Sequence, residues 1–312
     1  MRWHLTTLHS FCSRPQCFDG DLPDAGLTYA GAASGALYDG SSPLYGTTQL
    51  GGSAATLRRG TIFKLVFKQG NFTSRVIYNF CSLVNCSDGY IPGASLIADA
   101  RGNLYGTTMG GGVTVNNGGT AFELSKTAKE QWSETVLHNF CTTALCADGK
   151  VPQGELLMDS SGNLFGTTGA GGSGANCSDS VGCGVAFQIV RNGARLAETV
   201  LYNFCSASDC ADGRNPFSGF VMDGSGDLFG TTFQGGGNDG DPAGRGGGTV
   251  YRLNGTQQVL YAFCALSGCS DGAYPNGSLI RDGSGNLFGA TSQGGSGEGA
   301  NGGAGTVFEL SP

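Results

Sequence analysis

The segment Asn103-Leu104-Tyr105-Gly106-Thr107-Thr108 returns along the chain with small changes, its Gly-Thr-Thr or Gly-Ala-Thr core starting at Gly46, Gly106, Gly166, Gly230 and Gly289. Five copies at a nearly constant spacing mean that one small structural unit is built five times. A second signature keeps the same period. It reads Phe-Cys, four residues, Cys, one residue, Asp-Gly, two residues, Pro, and spans Phe11 to Pro23, Phe80 to Pro92, Phe140 to Pro152, Phe204 to Pro216 and Phe263 to Pro275.

Each unit reads as four short strands rich in Val, Ile, Leu, Tyr and Phe and bounded by turn residues. In the second unit these are Ser95 to Asp99, Asn103 to Thr108, Gly119 to Leu124 and Thr135 to Phe140. The first two are joined by Asp99-Ala100-Arg101-Gly102, where the aspartate can bond its own turn and the glycine can take a positive φ. Four antiparallel strands per repeat make a propeller blade. The fifth unit ends after three strands, at Gly305 to Leu310, while Thr7-Leu8-His9-Ser10-Phe11 aligns with Val136-Leu137-His138-Asn139-Phe140. The expectation is an all-β, five-bladed β-propeller closed by the N-terminal strand pairing with the C-terminal blade. It forms a single domain over 1–312, with repeats at about 24–80, 81–140, 141–204, 205–263 and 264–312, the last completed by 5–11. An open β-solenoid has much shorter rungs and no use for a blade shared between the termini.

Composition narrows the function classes. Glycine occurs 57 times against 9 prolines, which excludes collagen, and the 39% apolar content excludes a disordered linker. A net charge of -7 with no basic cluster along the sequence argues against nucleic-acid binding. No apolar run is long enough to span a membrane as a helix. Twelve cysteines, ten of them regularly spaced, suit an oxidising compartment. Met1-Arg2-Trp3-His4-Leu5 lacks the apolar stretch of a signal peptide, so a secreted or cell-surface protein is expected with its leader absent from this chain.

The repeat resembles the GloVer (Gloeobacter/Verrucomicrobia-type) family of tandem repeats, whose pattern runs Asp-Gly-x-Gly-Asn-Leu-Tyr-Gly-Thr-Thr, then a glycine loop and Gly-Thr-Val-Phe. The clearest matches are Asp282 to Thr291 and Gly305 to Leu310; the first unit departs, with Asp39-Gly40-Ser41-Ser42-Pro43 in place of the Gly-Asn turn. The resemblance implies a secreted or surface-anchored bacterial protein and does not by itself imply a reaction.

Ten cysteines form Cys-x4-Cys pairs: Cys12 with Cys17, Cys81 with Cys86, Cys141 with Cys146, Cys205 with Cys210 and Cys264 with Cys269; Cys177 and Cys183 break the period. Zinc needs four ligands at one point, and copies on separate blades are too far apart, so disulfides are expected. The connections that carry these pairs and the long glycine loops, such as Gly110 to Gly118, emerge at one end of the strands, which is the expected functional face. There Asp19, Asp88, Asp148, Asp212 and Asp271 repeat. Each precedes a glycine and can accept bonds from its own turn. The sharper expectation is that some subset converges on a Ca2+ ion.

Three histidines, His4, His9 and His138, cannot easily meet at one centre, which disfavours a Ser-His-Asp triad or a histidine-bound zinc. A catalytic site would have to break the fivefold symmetry. Asp179, Asp239, Asp241, Arg245 and Glu298 have no equivalents in other copies, although each reads readily as a solvated loop charge; Glu155 stands where other copies have Ser95, Gly219 or Ser278. The expected function is a Ca2+-dependent lactonase or esterase, an extracellular monomer acting on acyl-homoserine lactones or similar small esters. The alternative is a lectin-like propeller with repeated carbohydrate sites that use Tyr90 and Tyr274. A glycosidase is weaker, because no facing pair of carboxylates can be located.

Overall fold

The computed structural model describes residues 3–32, 37–53, 59–113, 116–129, 131–177, 181–192, 195–237, 245–297 and 303–312. Among these residues the chain pairs locally, most strands with a neighbour in sequence, and this gives five antiparallel sheets. The first contains β1 (Thr28–Tyr29), β2 (Leu44–Thr48), β3 (Thr61–Lys68) and β4 (Asn71–Asn79), in that order. The second contains β5 (Ile97–Ala98), β6 (Leu104–Thr108), β7 (Thr120–Lys126) and β8 (Trp132–Asn139). The third runs β10 (Leu157–Met158), β11 (Leu164–Ala170), β12 (Val185–Asn192) and β13 (Arg195–Asn203), with β9 (Lys150–Pro152) also on β11. The fourth holds β14 (Val221–Met222), β15 (Leu228–Thr232), β16 (Thr249–Leu253) and β17 (Gln257–Ala262). In the fifth, β18 (Ala273–Pro275), β19 (Ile280–Arg281) and β21 (Thr306–Leu310) all pair with β20 (Leu287–Gln293). The up-and-down order is that of propeller blades. The first two sheets belong to one compact unit, residues 1–139, and the other three to a second, residues 140–312. Among the described residues no helix is long and apolar enough to cross a membrane.

The repeated motif builds the core of each sheet. All five residues of Leu104–Thr108 are buried, as expected for a strand covered on both faces. Its glycine is dictated by a neighbour: a Cβ on Gly106 would lie 2.8 Å from the Phe122 ring, and one on Gly166 2.5 Å from Phe187. The last threonine meets the first of the next strand through their hydroxyls, Thr108 with Thr120 and Thr48 with Thr61 at 2.8 Å. The aromatic that opens each of four Cys-x4-Cys segments then packs edge-on against an aromatic of the third strand that follows it in sequence. Phe80 meets Phe122, Phe140 meets Phe187, Phe204 meets Tyr251 and Phe263 meets Phe308, at ring separations of 5.1, 4.9, 5.1 and 5.0 Å.

The first strand of each sheet is shorter than the sequence suggests, Ile97–Ala98 instead of Ser95 to Asp99, because Asp99 turns the chain. Its Oδ1 accepts from the backbone amides of Arg101 and Asn103, and Gly102 takes φ +79°. Residues 3–10, expected as a strand, form none, and β21 pairs with β20.

Candidate functional site

All six disulfides are formed: Cys12–Cys17, Cys81–Cys86, Cys141–Cys146, Cys205–Cys210, Cys264–Cys269 and Cys177–Cys183. The Cys-x4-Cys loops share one construction. In the second copy, Cys81 donates its amide to the Gly89 carbonyl and Gly89 donates to the Cys86 carbonyl. Gly112, in the glycine loop, also donates to the Cys86 carbonyl, so both loops lie at the same end of the strands.

Within each loop the aspartate accepts the donors of its own turn. Asp88 takes the Ser82 amide and hydroxyl and the Leu83 amide, and Asp148 takes the amides and hydroxyls of Thr142 and Thr143. Asp19 is served by Ser13 and Arg14, Asp212 by Ser206 and Ala207, and Asp271 by Ala265 and Leu266. Burial works against the ionised form of Asp19 and Asp148, but these hydrogen bonds outweigh it and hold both carboxyls below the usual carboxylate range. In neither unit do these carboxylates gather. Among the described residues the one set of three or more ligand-type side chains with converging atoms is Cys183, Cys205 and Cys210, and these sulfurs belong to two adjoining disulfides.

A further donor comes from a residue ten positions upstream. The hydroxyls of Tyr78, Tyr202 and Tyr261 donate to Asp88, Asp212 and Asp271 at 2.9, 2.7 and 2.8 Å. Burial pushes the three phenols up, Tyr261 to about 12. His9 takes the tyrosine's place in the first copy, its Nε2 lying 3.4 Å from Asp19. The constant spacing of ten residues is the sequence signal for this contact, and motif reading passes over it.

The other sequence candidates separate cleanly. Asp179, Asp239, Asp241 and Glu298 lie outside the described residues. Arg245 is exposed. Glu155 precedes β10, and burial pushes its carboxyl up. The two tyrosines expected to act as sugar platforms are not open rings. Tyr274 is buried and stacked on Phe233 at 5.0 Å, and Tyr90 is capped by the Arg59 guanidinium at 4.3 Å.

The clearest break in symmetry lies in a hairpin. Three hairpins end in an asparagine whose side-chain amide donates to Oδ2 of the leading aspartate: Asn103 to Asp99, Asn163 to Asp159 and Asn286 to Asp282. In the fourth hairpin the equivalent of that asparagine is Asp227, a difference that the repeat signatures do not register. As a carboxylate it has no donor to offer Asp223, whose Oδ1 still accepts from the amides of Ser225 and Asp227. Arg252 compensates by gripping Asp227 through Nε, at 2.8 Å, and Nη2. These groups line a cavity of about 490 Å³, together with Phe229 and Arg281. Arg281 lies 5.9 Å from the Phe229 ring centre, and its enclosed Nε has no acceptor. For Asp223, burial works against the ionised form, but the two amides and then Arg281 and Arg252 together outweigh it and hold the carboxyl below the usual carboxylate range. The cavity therefore presents an ionised carboxylate beside fixed positive charge.

Three solved structures resemble the chain at low identity. The catalytic domain of a GH62 α-L-arabinofuranosidase from Coprinopsis cinerea is 13% identical, with a TM-score of 0.44 over 97% of this chain and 93% of that one. The periplasmic gluconolactonase PpgL of Pseudomonas aeruginosa is 11% identical, with a TM-score of 0.42 over 93% and 88%. An exo-1,5-α-L-arabinanase from a bovine ruminal metagenomic library is 12% identical, with a TM-score of 0.41 over 88% and 90%. No curated protein sequence matches. The family comparison is decisive where these are not. The Gloeobacter/Verrucomicrobia repeat matches residues 26–239, and the chain belongs to that repeat family.

Proposed function

We propose that the protein is an extracytoplasmic hydrolase of small esters or lactones, acyl-homoserine lactones among them, with the Asp223–Arg281 cavity as its site. One observation carries the reading. Asp227 in place of asparagine removes the side-chain donor from Asp223 and leaves its Oδ2 available in a cavity that also holds two guanidinium groups. Asp223 takes a proton from water as the water oxygen attacks the acyl carbon. Arg281 stabilises the oxyanion, with Arg252 held in place by Asp227. Collapse of the tetrahedral intermediate expels the alkoxide, which takes up the proton. Glycoside cleavage fits less well. It needs a carboxylic acid that keeps its proton, whereas Asp223 is held ionised and Asp227 is paired with Arg252. The test is ring opening across a panel of lactones. Arg281→Gln should slow it by about 100-fold, and an unchanged rate would remove the proposal.

Two further readings belong with this one. We propose that residues 5–11 serve as the outer strand beside β21 and close five blades into one ring. Val307 on β21 is 87% exposed while its equivalents Ile62, Ala121, Ala186 and Val250 are fully buried, which marks an uncovered edge. Phe11 already packs on Phe63 at 4.8 Å, as the closing aromatics of the other fourth strands do on theirs. A Ca2+ ion at the loop aspartates would have to compete with their own turn donors. The donors already on those oxygens favour a purely structural role, so EDTA should leave the melting temperature unchanged, and a fall on chelation would restore the ion.

A further inference from the structure

The cavity beside Asp223 has two kinds of wall. One is charged: Asp223, the Asp227–Arg252 pair and Arg281. The other is hydrocarbon, supplied by Phe229 on β15, Leu260 on β17, Leu287 on β20 and Leu310 on β21. Strand pairing makes this second wall continuous. Leu287 stands directly opposite Leu310 in the register of β20 and β21, so the two share a face. Leu260 is the extra residue where the register of β16 and β17 shifts, between Val259 opposite Tyr251 and Tyr261 opposite Val250. Such a bulge re-aims a side chain, and here it leaves Leu260 in the cavity lining. Leu287 is buried in a core cluster with Val250 and Leu279, and Phe229, Leu260 and Leu310, half-buried, pack against that cluster.

At Phe229 the two walls adjoin. In the second sheet its equivalent is Tyr105, whose hydroxyl donates to Oδ2 of Asp99 at 3.2 Å. Phe229 has no hydroxyl to give. Asp223 therefore lacks both side-chain donors that Asp99 receives, from Asn103 and from Tyr105, and hydrocarbon stands in place of the second. The lactone carbonyl and its attacking water need the charged wall alone. A hydrocarbon wall drawn from two sheets is idle unless the substrate brings hydrocarbon to it. A sugar lactone would press hydroxyls against carbon, and a buried hydroxyl without a partner costs affinity. Among the described residues the lining hydroxyls are those of Ser284 and Ser311, too few to serve a polyhydroxylated chain. An alkyl chain has no such groups to strand and gains by leaving water.

We propose that Phe229, Leu260, Leu287 and Leu310 form a subsite for an unbranched alkyl or acyl chain, which makes chain-bearing lactones the substrate class and sugar lactones poor ligands. The subsite rests on the hydrolytic reading of Asp223, for which it names the substrate. Its test is binding, which requires no turnover: titration calorimetry of the full chain carrying Asp223→Asn with γ-butyrolactone, γ-octalactone and galactono-1,4-lactone. The three share a five-membered lactone ring and differ in what it carries. Each buried methylene should be worth about threefold in affinity, so γ-octalactone, with four more carbons, should bind about 80-fold more tightly than γ-butyrolactone. That gain should come with a negative heat-capacity change. Galactono-1,4-lactone should bind no more tightly than γ-butyrolactone. Leu260→Thr and Leu310→Thr, each added to Asp223→Asn, should cut the octalactone-to-butyrolactone ratio about fivefold; two positions are used so that misfolding of one variant leaves the other to read. Chain-dependent binding with no ring opening by the parent would keep the subsite and remove the hydrolytic reading. Ring opening by the parent with equal affinity for the three lactones would keep the hydrolytic reading and overturn the subsite. Tighter binding of galactono-1,4-lactone than of γ-octalactone, or an unchanged ratio in a folded Thr variant, would overturn it as well.

Discussion

Glu134 and Glu198 occupy the same place on β8 and β13, six residues before the closing phenylalanine. Both are partly buried, and each has an enclosed Oε1 with no hydrogen-bond partner. Desolvation first, then the negative charge of Asp88, pushes Glu134 up to about 8; desolvation, then Asp148, pushes Glu198 up to about 7. Both groups thus hold a proton in the folded chain that the unfolded chain has lost. A raised folded-state value makes a contribution that is whole below the ordinary carboxyl value of 4.5 and lost as pH climbs through 7 to 8. Each tenfold gain in proton affinity corresponds to about 1.4 kcal/mol, so the undiscounted loss for Glu134 is about 5 kcal/mol. Because both side chains keep some contact with water, about 2 kcal/mol for Glu134 and about 1 kcal/mol for Glu198 are expected. The fourth sheet supplies the neutral form. Gln257, at the equivalent position, donates Nε2 to the Asp212 carbonyl at 3.0 Å. Glu134→Gln/Glu198→Gln should therefore be about 3 kcal/mol more stable than the parent near pH 8.5 and nearly equal to it near pH 5, read by urea unfolding at both. A gain of the same size at both pH values, or no gain at the higher one, would refute the reasoning.

Two other perturbations probe the frame. Gly106→Ala places a Cβ against Phe122 and Leu96, both at 2.8 Å in a strand with no room to move. It should cost about 3 kcal/mol by overpacking, and a melting temperature within about a degree of the parent would contradict the close approach. Phe11→Ala should destabilise by about 3 kcal/mol if Phe11 does for the first sheet what Phe80 does for the second. A negligible change would count against closure by residues 5–11.

Much of this frame is legible in the sequence because the repeat repeats its physics. Gly-Thr-Thr marks a buried strand, since only glycine admits the neighbouring aromatic and the threonines pair through hydroxyls. Asp99 to Gly102 marks its hairpin through turn chemistry alone. The candidate site is not legible in the same way. Residues without counterparts are the visible breaks in symmetry, whereas Asp227 has a counterpart in every asparagine it replaces. Its effect lies in a hydrogen bond that fails to form and in Arg252, 25 residues away in sequence. The aspartate ring is a projection from equal sequence positions. What the positions share is a turn that each carboxylate holds together.

The hydrolytic reading makes Asp223 the base and gives the loop aspartates no part in the chemistry. The most direct measurement is the rate of lactone ring opening by the parent and by Asp223→Asn, with EDTA present and the fold of each verified by its melting curve. The account expects the parent to keep its rate in EDTA and Asp223→Asn to lose about 100-fold or more. An Asp223→Asn protein as active as the parent, or a parent silenced by the chelator, would contradict it.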